Sequence, residues 1–89
     1  MRRVHVEVTG RVQGVFFRAS CVERARALGL AGWVRNALDE RVEAEFEGPA
    51  EQVQTIIDWC RIGPPGARVG DVSVREEPPI GDEEFRVVR

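Results

Sequence analysis

Between an alternating apolar pattern and a helical one lies Gly10-Arg11-Val12-Gln13-Gly14-Val15-Phe16-Phe17-Arg18. Glycines ahead of a helix let successive backbone N–H groups converge on one point, and the helix N-terminus adds partial positive charge there. Arg18 falls in the first turn of that helix. A cation in that position opposes the helix dipole and costs about 0.3–1 kcal/mol. A bound anion reverses the sign, because dipole and guanidinium then face the same charge. A glycine loop beside a solvated arginine fits these residues too, so both readings stand at this point.

Asn36 ends a second β pattern and admits two readings as well. Asparagine is a turn former, which suits the start of a hairpin. Its side-chain carbonyl could also accept from a water while its amide donates to a ligand oxygen. His5 and Glu7 are titratable but fall on the wet face of a half-buried strand, where a solvent-facing role is expected. Trp33, Phe46 and Trp59 are expected to pack rather than stack on bases. One histidine, one methionine and two isolated cysteines give no metal-ligand spacing.

The elements that must position these residues follow from periodicity. Val4, Val6 and Val8 alternate with His5, Glu7 and Thr9, a strand with one wet face. Gly10 to Phe16 reads as a loop. Phe17, Cys21, Ala25 and Leu28 fall at helical spacing, and Gly29 suits the position just past the helix end. A strand runs from Leu30 to Asn36, a short turn covers Ala37 to Glu40, and Val42, Ala44 and Phe46 alternate with Glu43, Glu45 and Glu47. Those glutamates are expected to form a solvated face. Pro49 is placed at the first position of a second helix, whose apolar stripe is Val53, Ile56, Ile57 and Cys60. Gly63-Pro64-Pro65-Gly66 ends it. Val72 and Val74 mark a fourth strand, Pro78 to Asp82 a loop, and Phe85 to Val88 a short last strand.

The order is βαββαβ with a terminal strand, an α+β ferredoxin-like sandwich: a mainly antiparallel sheet with two helices on one face. A right-handed crossover makes the first two strands parallel, and the third can insert between them. The loop after the first strand and Asn36 then lie on one sheet edge, about 10 Å apart at two strand spacings. Such a gap suits a small anion and a water.

At 89 residues the chain has room for one domain, residues 1–89. With 43% hydrophobic and 31% charged residues in regular patterns, disorder is excluded. The formal net charge of −2 and a pI near 5.4 argue against a nucleic-acid partner. All 13 basic residues are arginine, so Schiff-base chemistry on lysine is excluded. No apolar run approaches the ~18–20 residues needed to span a bilayer. No apolar stretch follows Arg2 and Arg3, so no secretory leader is expected and the cytoplasm is the expected compartment. Cys21 and Cys60 are expected as reduced core thiols.

Val8-Thr9-Gly10-Arg11-Val12-Gln13-Gly14-Val15-Phe16-Phe17-Arg18 resembles the first signature of the acylphosphatase family, and Gly32-Trp33-Val34-Arg35-Asn36 the start of its second. The similarity continues through the third strand, Glu47-Gly48-Pro49 and the C-terminal strands. It implies hydrolysis of acyl phosphates to a carboxylate and inorganic phosphate. The implied phosphate cradle is made by the loop amides of Gln13, Gly14, Val15, Phe16, Phe17 and Arg18, with Arg18 as the phosphate-binding guanidinium. Asn36 is implied as the residue that positions the attacking water. No metal and no cofactor are implied. The expected partners are a small-molecule acyl phosphate and phosphate or sulfate as product or analogue, with the protein a monomer. One departure is visible: Glu40 stands where the family's second signature usually has glycine, and a positive φ there suits glutamate poorly.

Two other functions share this element order. RNA-recognition modules display aromatic and basic residues on the third strand, where this chain has Glu43, Glu45 and Glu47. Acylphosphatase-like domains also handle carbamoyl phosphate within much larger hydrogenase maturation proteins.

Overall fold

The computed structural model describes residues 1–89. Seven elements follow in chain order: β1 (Arg2–Arg11), α1 (Phe17–Ala27), β2 (Ala31–Asn36), β3 (Val42–Gly48), α2 (Ala50–Cys60), β4 (Arg68–Glu77) and β5 (Phe85–Val87). The sheet order is β4-β1-β3-β2-β5. β3 lies antiparallel between β1 and β2, β4 is antiparallel to β1, and β5 is parallel to β2. The inserted third strand and the mainly antiparallel sheet match the sequence expectation.

Alternation explains the core. Val4, Val6 and Val8 of β1 and Val42, Ala44 and Phe46 of β3 pack with Phe17, Cys21 and Ala25 of α1 and with Val53, Ile56, Ile57 and Cys60 of α2. Both helices therefore cover one face. Trp59 tilts against Phe17, and Phe46 stacks on Phe85 at 5.5 Å. Both cysteines are free and buried. Burial pushes the Cys60 thiol up to about 12 and the Cys21 thiol well above its usual range.

Besides one-residue shifts at the start of β2 and the end of β5, three boundaries differ from the sequence reading. β1 runs on to Arg11, because a bulge at Thr9/Gly10 keeps it paired with β4. Gly10 has φ 120°, and a Cβ there would sit 2.2 Å from the Arg68 carbonyl oxygen. The loop is thereby shortened to residues 12–16. Pro49 precedes α2 rather than starting it: its backbone is extended at φ −57°, ψ 140°, and its carbonyl accepts from Val53 N–H at 3.0 Å. β4 spans Arg68–Glu77, well beyond Val72 and Val74, because β1 offers a long edge to pair with. The end of α1 follows expectation. Gly29 has φ 70°, and the N–H groups of Gly29 and Leu30 donate to Arg26 and Ala25, a Schellman closure.

The face opposite the helices corrects a further expectation. Glu43 and Glu47 are 8% and 2% exposed, and Glu45 is only half-buried. Arginines explain this. Arg3 donates to Glu45 at 2.7 Å and to Glu47 at 3.0 Å, and Arg35 donates to Glu43 at 2.8 Å. Glu7 pairs with Arg41. β1 is an inner strand, so His5 is half-buried, with Nδ1 2.8 Å from Glu45 and Nε2 3.3 Å from Glu43.

Glu47 also ties the loop before β5 to the sheet by accepting from Ile80 and Gly81 N–H at 2.9 Å each. The Ile80 N–H, then Arg3 and the Gly81 N–H, hold its carboxyl below the usual range against the opposing effect of burial. A lowered carboxyl stabilises the fold above its unfolded pKa of about 4.3, and that contribution is lost as pH falls through the lowered folded value. Glu47→Gln is expected to cost about 3–5 kcal/mol, as for one partner lost from a buried ion pair. Urea unfolding at neutral pH measures this loss. The gap between wild type and variant should narrow toward acid pH.

Candidate active site

The loop between β1 and α1 inverts its handedness twice. Gly14 has φ 74°, and Phe16, the residue that caps α1, has φ 62°, ψ 25° with no side-chain cap bond. Left-handed backbone is ordinary for glycine and costs a phenylalanine about 1–2 kcal/mol. Such inversions turn consecutive N–H groups toward one side. None of the N–H groups from Gln13 to Arg18 donates to a backbone carbonyl or a side chain. α1 starts immediately after, so its positive end points at the same place, and no acidic residue sits in its first turn. Arg18 is exposed and forms no ion pair.

Asn36 arrives from the other direction. Val42 of β3 pairs with Val8 of β1 on one side and with Asn36 of β2 on the other. The end of β2 is thus two strand spacings from β1, as the topology requires, about 10 Å. Asn36 is half-buried, and its side chain has no hydrogen-bond partner in the protein. A cleft of about 440 Å³ brings Gly14, Phe16, Phe17 and Arg18 together with Asn36, and Ala19 and Val87 complete its lining. Gln13 and Val15 line the adjoining hollow with Arg11, Val12 and Glu40. Sequence reasoning missed Ala19 and Val87. Val87 reaches the cleft through the parallel pairing of β5 with β2, which no local pattern encodes.

The turn after Asn36 resolves the departure at Glu40. Glu40 takes φ 70°, the left-handed conformation expected to suit it poorly. Neighbouring bonds hold the turn: Ala37 N–H donates to the Arg41 carbonyl at 2.8 Å, and Arg41 Nε donates to Asp39 at 2.8 Å. The Gln13 side chain, whose role no local pattern signals, donates to both Ala37 and Arg41 carbonyl oxygens at 2.9 Å.

Elsewhere, the groups His5–Glu7–Glu43 and His5–Glu45–Glu77 each bring ligand atoms within 4.8 Å of one another. Linear spacing hid them because the residues come from neighbouring strands. Their carboxylates are already engaged by Arg3, Arg35, Arg41 and Arg75. The Arg35 guanidinium holds the Glu43 carboxyl below its usual range. A cation there would have to displace arginines.

The unpaired loop amides, the free guanidinium and the free carboxamide border one cleft. Comparison with known proteins identifies the family. The acylphosphatase family profile matches residues 4–87. The acylphosphatase of Gloeobacter violaceus is 56% identical over 87 residues, covering 98% of this chain and 94% of that protein. The crystal structure of acylphosphatase from Bacillus subtilis superposes with a TM-score of 0.96 at 39% identity, covering all of both chains. Full-length HypF in its phosphate- and nucleotide-bound form matches with a TM-score of 0.91 at 26% identity, but this chain spans only 12% of it. Family profile, sequence identity and superposition agree along nearly the whole length, and the chain belongs to the acylphosphatase family.

Proposed function

We propose that the amides of Gln13, Gly14, Val15, Phe16, Phe17 and Arg18, with the Arg18 guanidinium, hold the phosphate of an acyl phosphate, and that Asn36 positions the water that attacks it. The observation that carries this reading is the shared cleft: Arg18 of α1 and Asn36 at the end of β2 line one cavity beside N–H groups that have no acceptor. The enzyme is an acylphosphatase, and its chemistry explains why so few groups suffice. The leaving carboxylate belongs to an acid of pKa about 4, so it departs without a general acid. The loose transition state of phosphoryl transfer spreads charge over the equatorial oxygens, where amide donors and a guanidinium stabilise it. No carboxylate or imidazole lines the cleft, so the substrate phosphate itself takes the water's proton. In the same reading residues 1–89 act as one domain, a cytoplasmic monomer working on a small molecule, with phosphate as product and sulfate as its analogue. No helix is long and apolar enough to cross a membrane.

Benzoyl phosphate and acetyl phosphate are expected to be hydrolysed at rates unchanged by EDTA, because the amide cradle supplies the positive potential. Glycerol phosphate should be a poor substrate, since its alkoxide leaving group needs an acid that the cleft lacks. Comparable rates on acetyl and glycerol phosphate, or activity lost in EDTA and restored by magnesium, overturn this mechanism.

A further inference from the structure

The sheet sets the separation of the ends of β1 and β2 but not, by itself, the position of the loop beyond β1 relative to Asn36. β1 and β2 are not neighbours, and residues 12–16 lie beyond the ladder that joins β1 to β4. Asn36 closes the ladder of β2 with β3, after which the chain turns back. One side chain bridges the gap. Gln13 Nε2 donates one hydrogen to the Ala37 carbonyl and the other to the Arg41 carbonyl, both at 2.9 Å. An amide nitrogen has two hydrogens, and both are used. Because both neighbours are acceptors, only this orientation of the carboxamide satisfies the contacts.

The two acceptors face each other at the neck of the hairpin, directly beyond the Asn36–Val42 pair. Ala37 follows Asn36, and Arg41 precedes Val42, the pairing partner of Asn36. Ala37 N–H also donates to the Arg41 carbonyl, so Gln13 seals the neck of the hairpin. The hairpin is anchored further by Arg41, which pairs with Glu7 of β1 and with Asp39. Gln13 therefore offers its backbone N–H to the loop and its side chain to the segment that carries Asn36.

We propose that the Gln13 side chain is a positioning residue for the hydrolysis: it sets the distance between bound phosphate and the water held by Asn36. The proposal rests on the roles given above to Arg18 and Asn36. It separates two functions of one residue, because the backbone amide survives any of the substitutions below while the bridge does not. An error of about 1 Å in the placement of a reacting group costs on the order of 10²-fold in rate.

The test is steady-state kinetics on benzoyl phosphate, with inorganic phosphate as competitive inhibitor, for Gln13→Met and Gln13→Glu. Methionine keeps the length and packing of the side chain without its donors. Glutamate keeps the shape but sets an acceptor against two carbonyls. Gln13→Met is expected to lower kcat by about 10–100-fold while the phosphate inhibition constant stays within about twofold. Gln13→Glu should lower kcat at least as much, with phosphate affinity reduced as well because its carboxylate stands near the dianion. Adding Gln13→Met to Asn36→Ala should produce no further loss, since residues acting through one another are not additive.

A proportional loss of phosphate affinity in Gln13→Met overturns the proposal, because the bridge would then be shaping the cradle. Multiplicative losses in the double variant overturn it too, because Gln13 would then act independently of Asn36. If Asn36→Ala is inactive while Gln13→Met and Gln13→Glu turn over normally, this proposal alone fails. If Asn36→Ala keeps normal turnover, the assignment of Asn36 fails and takes the proposal with it. Should Gln13→Glu not fold, Gln13→Met by itself separates these outcomes.

Discussion

Arg18→Ala is expected to lower turnover of benzoyl phosphate by about 10²–10³-fold, on the scale of a lost transition-state donor. It should also weaken inorganic phosphate as a competitive inhibitor, because the guanidinium faces the anion in the ground state as well. Arg18→Lys should recover only part of the loss, since an ammonium lacks the planar fork that meets two phosphate oxygens at once. Stability should move in the opposite direction. Without ligand, Arg18 sits in the first turn of α1 with no acidic neighbour in that turn and no ion pair. Removing it relieves an unfavourable interaction with the helix dipole, so the unliganded variant should gain about 0.3–1 kcal/mol. Kinetics, phosphate inhibition and urea unfolding on one preparation check all three. A less active variant that is also less stable, with phosphate inhibition unchanged, would contradict the role given to Arg18.

Asn36→Ala should separate binding from turnover. The substitution removes no charge and leaves the loop amides and Arg18 in place, so phosphate inhibition is expected to stay within about twofold. Turnover should fall by about 10²-fold or more, because the water loses its in-line orientation. Circular dichroism should show an intact fold, since the Asn36 side chain makes no hydrogen bond to the rest of the protein. Asn36→Asp is the informative companion. It keeps the shape of asparagine but sets a carboxylate beside a dianion, and should lose both turnover and phosphate affinity. Near-normal turnover in Asn36→Ala would show that another group orients the nucleophile.

The fold is legible in the sequence where periodicity is strong. Alternating valines in β1 and the apolar stripe of α2 place those elements, and the two parallel strands joined by α1 put Arg18 and Asn36 on one edge. A cation in the first turn of a helix is compatible with a bound anion, but residue type and position alone leave a solvated arginine equally open. What escapes the sequence depends on partners distant along the chain. Glu43 and Glu47 read as a wet face because alternation reports polarity, whereas their burial depends on Arg35 and Arg3. β1 outruns its pattern because the bulge at Gly10 is set by pairing with β4. Pro49 fits the first helical position or the one before it, and only its ψ of 140° decides. The Gln13 bridge and the reach of Val87 are contacts across the sheet edge that no spacing rule encodes.

The placement of β3 between β1 and β2 has a consequence for synthesis. During translation the phosphate loop and Asn36 both exist once residue 36 has been joined, but the strands that carry them do not touch each other. They are brought into register only when β3, ending at Gly48, pairs with both, and β1 stays open on its outer side until Arg68–Glu77 arrives to form β4. Pairings between segments this far apart in the chain carry a loop-closure cost that must be met before the contacts reward it, and they form late. A nascent chain that already contains Arg18 and Asn36 would therefore still lack the strand that sets them side by side. The geometry of the cleft thus depends on closure of the sheet as well as on the local loop.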